Sequence, residues 1–393
     1  MAVPLPETRP PSSELVSRLL ARCERRKDAL LDAIGALVAI ESPSRDREAL
    51  ARVRAHVQGR LRAIGVASEE EPASGGALGF ELALGADPLA APVLAISHLD
   101  TVWPLGTLAR RPFRVAAGEA FGPGIFDTKA GVALLVLALE ALQEEGVSAP
   151  RPIKGFLSLD EEVGSPGSKR RVIELARRAR AALVLEPALG PNGAVKTQRK
   201  GVGRFKVTAV GRAAHAGLDP DSGASAIHEL ALQVTRIAAL ADRSRGTTLN
   251  VGRIEGGTTA NVIAARAAAD VDARVFDPEE ADRVERALRS LEPSIAGTKV
   301  EVEGGFDRPP LLRSPAVVAC YELARGIARD LGFELEEGSV GGGSDGCHTA
   351  PLVATLDGLG AVGAGAHADD ERISVDWLAR RAALLAALLV SFA

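Results

Sequence analysis

A chain of 393 residues with 46% hydrophobic content exceeds one ordinary domain and can fill a large core, so two substantial folded units are expected. The formal net charge of −4, with both signs interspersed, excludes a basic footprint for nucleic acid or an anionic membrane surface and leaves a small ligand. The three cysteines, Cys23, Cys320 and Cys347, form no CxxC pair and leave one unmatched, so they read as buried structural thiols in a reducing compartment.

Residues up to about Ser12 are Pro-rich and read as a loose arm without the basic start, apolar core and cleavage site of a secretory signal. Helical periodicity then runs from Ser13 to about Ile40, and a second amphipathic stretch from Arg47 to Ile64 ends at Gly65 as a C-cap. Val93–Ile96 is a continuous apolar strand, Lys129–Glu145 an apolar helix, Ile153–Leu159 a second strand and Ala182–Leu185 a third. Strands alternating with helices imply an α/β sheet covered on both faces. From about Lys200 the pattern changes. Strands at Val202–Val210, Thr247–Ile254, Ala265–Phe276 and Lys299–Glu303 alternate with helices at Ser222–Ala241 and Pro278–Ala296. The resulting β-α-β-β-α-β order is the split ferredoxin-like motif. After Pro309 come a helix at Ser314–Leu331, a glycine loop at Gly341–Asp345, a strand at Val353–Leu356 and a helix at Val375–Val390. A discontinuous domain of residues 1–199 and 307–393 with an inserted domain of residues 200–306 is therefore expected. The longest apolar stretch, Ala382–Val390, is far short of the ~20 residues that span a bilayer, so a soluble cytoplasmic protein is expected.

Chemistry concentrates at the ends of these strands. Residues two apart in an extended strand face the same way, so His98 and Asp100 can share one side of the strand end after Ile96. There a carboxylate can orient a metal-bound imidazole, although a lone HxD is more often a satisfied core or surface pair. Asp127 follows the glycine turn Gly122-Pro123-Gly124 and could equally cap the next helix. Glu161-Glu162 follows Asp160 at the end of the second strand, a run of acids that repels itself without a cation unless it lies in a solvated loop. Glu186 closes the third strand, at the sheet edge where ligands of open α/β sheets gather. His367 lies in a late glycine-rich loop. Imidazoles and carboxylates together are the ligand set of a pair of divalent cations such as zinc, with one carboxylate left as base. The coincidence of several such sites outweighs the bland reading of each, and the chain reads as a two-metal hydrolase.

The strings Ser97–Val102, Gly122–Gly124 with Asp127 and Lys129, Asp160–Ser165, Gly211–Gly217 and Gly257–Ile263 resemble the di-zinc metallopeptidase family of aminoacylase and glutamate carboxypeptidase. The match runs in order over almost the whole chain, and HLDTVWP leans toward the glutamate carboxypeptidase branch. This resemblance implies a zinc-exopeptidase-like catalytic domain with a mixed sheet between helices, plus an inserted ferredoxin-like lid and dimerisation domain. It implies that His98, Asp127 and Glu186 hold one zinc and that Asp127, Glu162 and His367 hold the other. Asp127 would bridge both ions with a water, Asp100 would orient His98, and Glu161 would be the general base. Three carboxylates and a hydroxide then balance two divalent cations, so the cluster can be partly buried. His215 would stabilise the tetrahedral oxyanion from a partner subunit, where by itself it reads as a polar turn residue. Asn261, Arg274 and Arg308 match substrate-binding positions, as does the glycine loop with Gly342 and Gly343. Cobalt or manganese suit similar ligands.

Three other readings compete. Gly358–Gly363 fits GxGxxG after a strand, but the following residues continue as loop where a dinucleotide fingerprint needs a helix. A non-catalytic binding protein on the same scaffold is disfavoured because every ligand and the base are present. An N-acyl-amino-acid deacylase or dipeptidase would use the same metal centre and differ only in its pocket. Cys347-His348 offers too few ligands for another metal site, and His56 and His228 lie in helical patterns as structural residues.

Overall fold

The computed structural model describes residues 3–71 and 76–393, so Met1 and Ala2 of the Pro-rich segment lie outside the described residues. The chain forms two compact units. One comprises Met1–Thr197, Arg313–Ser339 and Ser344–Ala393, the other Gln198–Leu312 with Val340–Gly343. The second unit runs past the expected 200–306 because its last strand continues to Arg308 and Lys200 N–H donates to Val340 O at 3.1 Å, which draws the 340–343 piece onto it.

The first unit is built on a six-stranded mixed sheet in the order Ser68–Glu71, Ala77–Leu82, Ile153–Ser158, Val93–His98, Ala181–Val184, Thr355–Leu356. The last four are parallel, and the first two form an antiparallel hairpin arm. Val93 and Ala95 enter one apolar core with the helices Ala130–Glu144 and Leu378–Leu389, while Leu94 and Ile96 enter another with Val172 and Leu175 of the helix Lys169–Ala176. Alternate side chains thus serve opposite layers, which is why the strand is apolar without a break. The chain leaves Val93–His98, returns on one side of it as Ile153–Ser158, and comes back on the other side as Ala181–Val184. That reversal opens a crevice at the C-terminal ends of three adjacent strands.

Several elements differ from expectation for identifiable reasons. The first helical stretch breaks at Arg26 into Ser13–Arg25, which packs on Leu378–Leu389, and Lys27–Val38, which packs on Ala130–Glu144. The Pro-rich start is not loose: Arg9 N–H donates to Ser391 O at 2.7 Å and Ala393 N–H to Glu7 O at 3.0 Å. The arm strand Ser68–Glu71 has no apolar run to announce it, and pairing with Ala77–Leu82 decides it. The glycine repeat Gly358–Gly363 opens no helix. Instead, the fully buried Arg381 donates to Gly358 O, to Gly360 O at 2.9 Å and to Gly193 O at 3.0 Å, so these glycines wrap a guanidinium rather than a pyrophosphate. All three cysteines are buried outside any disulfide, and burial pushes the Cys23 and Cys320 thiols up to about 12. Among the described residues no helix is long and apolar enough to cross a membrane.

The second unit is a four-stranded antiparallel sheet in the order Thr248–Gly256, Arg266–Val275, Gly201–Val210, Lys299–Arg308. Two helices, Ala226–Ala239 and Pro278–Arg289, complete the β-α-β-β-α-β order read from the sequence. Phe205, Val207 and Ala209 alternate inward against Leu230, Ile237, Val284 and Leu288, while Arg204 and Lys206 face water. Ser225 caps the first helix through His228 N–H, which shortens it from the expected Ser222 start.

Within this unit the buried carboxylate of Glu280 accepts from Arg283 at 2.8 Å and from the Thr247 hydroxyl at 2.6 Å, with Arg245 at 2.7 Å. Arg283 above all draws its pKa from 4.5 down to about 2. A depressed acid stabilises the fold above its ordinary pKa and loses that contribution as pH falls through its folded value. Glu280→Gln is expected to melt about 5 °C lower at pH 7. The difference from wild type should shrink between pH 4.5 and 2 in melts followed by circular dichroism. A gap that stays constant over that interval would contradict the assignment.

Candidate metal centre

At the crevice the first unit gathers residues from distant parts of the chain. His98 ends its strand beside Ser158 in register and is buried. Its Nδ1 lies 3.0 Å from the main-chain oxygen of Asp100. A carbonyl only accepts, so Nδ1 donates there and Nε2 faces the crevice, where a bound cation would take the place of its proton. That Nε2 stands 3.2 Å from Asp127 Oδ1 and 3.5 Å from Glu186 Oε1. On the other side, His367 Nε2 stands 3.4 Å from Asp127 Oδ2 and 3.1 Å from Glu162 Oε2. Asp127 therefore turns one oxygen to each imidazole. It does not cap a helix: the next one starts at Ala130 after Lys129, without a side-chain cap.

The charges follow from this packing. Burial opposes a charge on His98, yet Asp100, Asp127 and Glu186 outweigh it and hold the imidazole well above its usual range. Asp127 and Glu162 push His367 up to about 10. Burial acts to raise Asp127, but His367 and His98 hold its carboxyl well below the usual range. Burial, with Asp127 adding to it, pushes Glu162 upward. Glu162 Oε1 is buried and has no hydrogen-bond partner. His98, Asp127 and Glu162 offer ligand atoms within 4.8 Å of one another. An orphaned carboxylate oxygen beside two imidazoles and a two-faced carboxylate fits divalent cations of the zinc type.

The other acids serve the scaffold. Asp100 lies with Oδ1 3.4 Å from His98 Nδ1, and its carboxylate also accepts from Glu161 N–H at 3.2 Å, Glu162 N–H at 3.1 Å and the Ser44 hydroxyl at 2.7 Å. Asp100 thus meets the imidazole first through its main-chain oxygen, and its side chain pins the turn that carries both glutamates. The run Asp160-Glu161-Glu162 is not held by cations alone, because Asp160 turns away to Gly167 N–H at 2.6 Å and the Ser168 hydroxyl at 2.6 Å. Ser165 closes this turn at a φ of 57° and donates to the buried Asp345 at 2.5 Å. Cys347 and His348 are buried in the short helix Gly346–Thr349 that follows.

The remaining expected residues lie in the second unit. His215 is exposed, and its Nδ1 accepts from Gly217 N–H at 3.2 Å and Leu218 N–H at 3.1 Å, which leaves Nε2–H as a donor in the neutral ring. Asn261 sits beside it, its main-chain oxygen accepting from Ala216 N–H at 3.0 Å. Arg274 spends its fork on Asp272 at 2.8 and 2.9 Å, so only Nη1, 3.5 Å from Gly341 O, is turned toward the glycine loop. A Cβ at Gly343 would meet Arg308 Cδ at 3.3 Å, so Arg308 packs against that loop. Sequence reasoning missed Arg199, whose Nη1 lies 3.2 Å from Gly342 O and 3.3 Å from Gly343 O. It also missed Ser44, Trp103 and Glu371. Trp103 lay in the HLDTVWP string without a role, and Glu371, four residues after His367, was hidden in an acidic run.

Residues 94–391 match the profile of peptidase family M20/M25/M40. The chain is 28% identical over 375 residues to carboxypeptidase G2 of Pseudomonas sp. (strain RS-16), covering 92% of this chain and 89% of that one. It is 31% identical over 287 residues to an acetylornithine deacetylase of Myxococcus xanthus, covering 70% and 73%. In fold it is similar to a dinuclear metal-binding M20 peptidase of Bacillus subtilis, with a TM-score of 0.70 at 15% identity over 93% and 98% of the two chains.

Because Asp127 sets its two oxygens 3.2 and 3.4 Å from the two imidazoles, Asp127→Ala is expected to lose essentially all tightly held divalent metal. Glu186→Gln and Glu162→Gln each remove one oxygen donor from one side and should retain about one ion per chain. Mass-spectrometric metal counting after desalting checks this; an Asp127→Ala protein with undiminished metal content would contradict the geometry.

Proposed function

The chain belongs to peptidase family M20/M25/M40, and from that premise we propose that it is a di-zinc exopeptidase of the glutamate carboxypeptidase type, cleaving an amide beside a free carboxylate. The observation that carries this reading is the Asp127 carboxylate, one oxygen toward His98, which also meets Glu186, and the other toward His367, which also meets Glu162. His98, Asp127 and Glu186 would hold one ion, and Asp127, Glu162 and His367 the other. Bound there, two divalent cations supply Lewis acidity to a water and to the scissile carbonyl.

The chain's own residues do the rest. Glu161 takes the attacking water's proton and delivers it to the leaving amine, while Asp100 fixes the turn that presents it. His215 offers its Nε2–H to the tetrahedral oxyanion, in the site of a partner subunit. Asn261, Arg308, the remaining edge of Arg274 and the main chain at Gly342 and Gly343 receive the substrate's carbonyl and carboxylate. The inserted unit serves as lid and dimerisation surface, and the enzyme works as a homodimer in the reducing cytoplasm. Similarity to an acetylornithine deacetylase supports a second reading, an N-acyl-amino-acid deacylase or dipeptidase with the same centre.

Glu161→Gln keeps the shape and removes the base, so kcat is expected to fall about 10²- to 10⁴-fold with zinc content unchanged. Retained turnover would remove Glu161 from the mechanism. A panel of N-acyl amino acids and short peptides varied at the C-terminal residue separates the two substrate classes. Preference for C-terminal glutamate supports the carboxypeptidase reading, and its absence ends that assignment. Light scattering is expected to give a dimer, and a monomer would contradict the role of His215 across subunits.

A further inference from the structure

We propose that Glu371 is a positioning residue for the metal centre, its buried carboxylate fixing the main chain that carries Asp127 and coupling it to Trp103. This rests on the di-metal reading above. Glu371 is 1% exposed. Its Oε2 accepts from Gly124 N–H at 2.7 Å and Trp103 Nε1–H at 2.9 Å, and its Oε1 from Phe126 N–H at 2.9 Å and Asp127 N–H at 3.1 Å. Four donors fill the acceptor capacity of one carboxylate, so Glu371 is no ligand itself. Its neighbours in the acidic run differ, with side chains 93% exposed at Asp369 and 69% at Asp370.

The contacts close a ring around the centre. Gly122 N–H donates to Glu371 O at 3.3 Å, and the strand Arg372–Ser374 pairs with Glu119–Phe121, so the two loops that bring Asp127 and His367 meet at this residue. Trp103 carries the Arg111 guanidinium 4.1 Å above its ring, and Arg111 reaches Ala368 O at 3.0 Å and Asp369 at 3.1 Å, beside His367. Asp127 must offer its two oxygens in two directions at once, which a mobile turn cannot do. Groups behind the ligands that hold them in register typically change metal affinity about tenfold to a hundredfold when removed. Glutamine at 371 keeps the volume but turns an amide donor toward two of the four N–H groups.

The test uses the 393-residue chain with Trp377→Phe, which leaves Trp103 as its sole tryptophan, stripped of metal and titrated with Zn2+. Trp103 fluorescence is expected to change as zinc binds, and Glu371→Gln is expected to weaken zinc binding about tenfold to a hundredfold in chelator competition. A merely structural role would lower the metal-free melting temperature and leave the zinc affinity of the folded protein unaltered, which would overturn the proposal. If Glu371→Gln does not fold, Trp103→Phe, which removes one donor of the four, is read in the same competition. It is expected to bind zinc severalfold more weakly, and unaltered affinity there overturns the proposal. Wild-type protein that binds no zinc would instead overturn the di-metal reading.

Discussion

One carboxylate, that of Asp127, stands between two imidazoles, and the structure around it follows from the need to keep it there. Asp127, Glu162 and Glu186 crowd together at a half-buried crevice. Two like charges about 4 Å apart at an effective dielectric near 20 repel by about 4 kcal/mol, so a trio of carboxylates needs cations among them. His98 and His367 supply that charge by taking protons in the protein alone, and divalent ions supply it more strongly.

The fold meets this demand by dividing its acids into two kinds. Asp127, Glu162 and Glu186 point at imidazole nitrogens, while Asp100, Asp160, Asp345 and Glu371 accept N–H or O–H donors from the loops themselves. The second kind turns three strand ends and a late loop into a fixed frame. Their position comes from the sheet: reversal of strand order beside Val93–His98 brings the ends of three strands to one edge. Each scaffolding acid lies within reach of a ligand-bearing turn, so orientation and electrostatics are set by the same residues.

Much of this was legible in the sequence because apolar strands that end in acid or histidine mark a sheet edge with chemistry on it. The parallel strands and the two apolar helices read as unbroken apolar runs because they are buried on all sides, and the inserted β-α-β-β-α-β unit alternates and buries one face. What stayed hidden depends on contacts between distant segments. The strand Ser68–Glu71 has no apolar pattern, the break at Arg26 reflects two different packing partners, and Glu371 lies in a run of acids typical of a solvated loop. The GxGxxG string misleads for the same reason: only the folded chain shows Arg381 inside it. Arg274 shows the limit of residue type as a guide, since its fork is already taken by Asp272.

Anomalous diffraction at the zinc edge, from crystals of the wild-type protein grown with zinc, tests the central claim most directly. Two peaks about 3.5–4 Å apart, one on each side of the Asp127 carboxylate, are predicted. A single peak, or none between His98 and His367, would contradict the account.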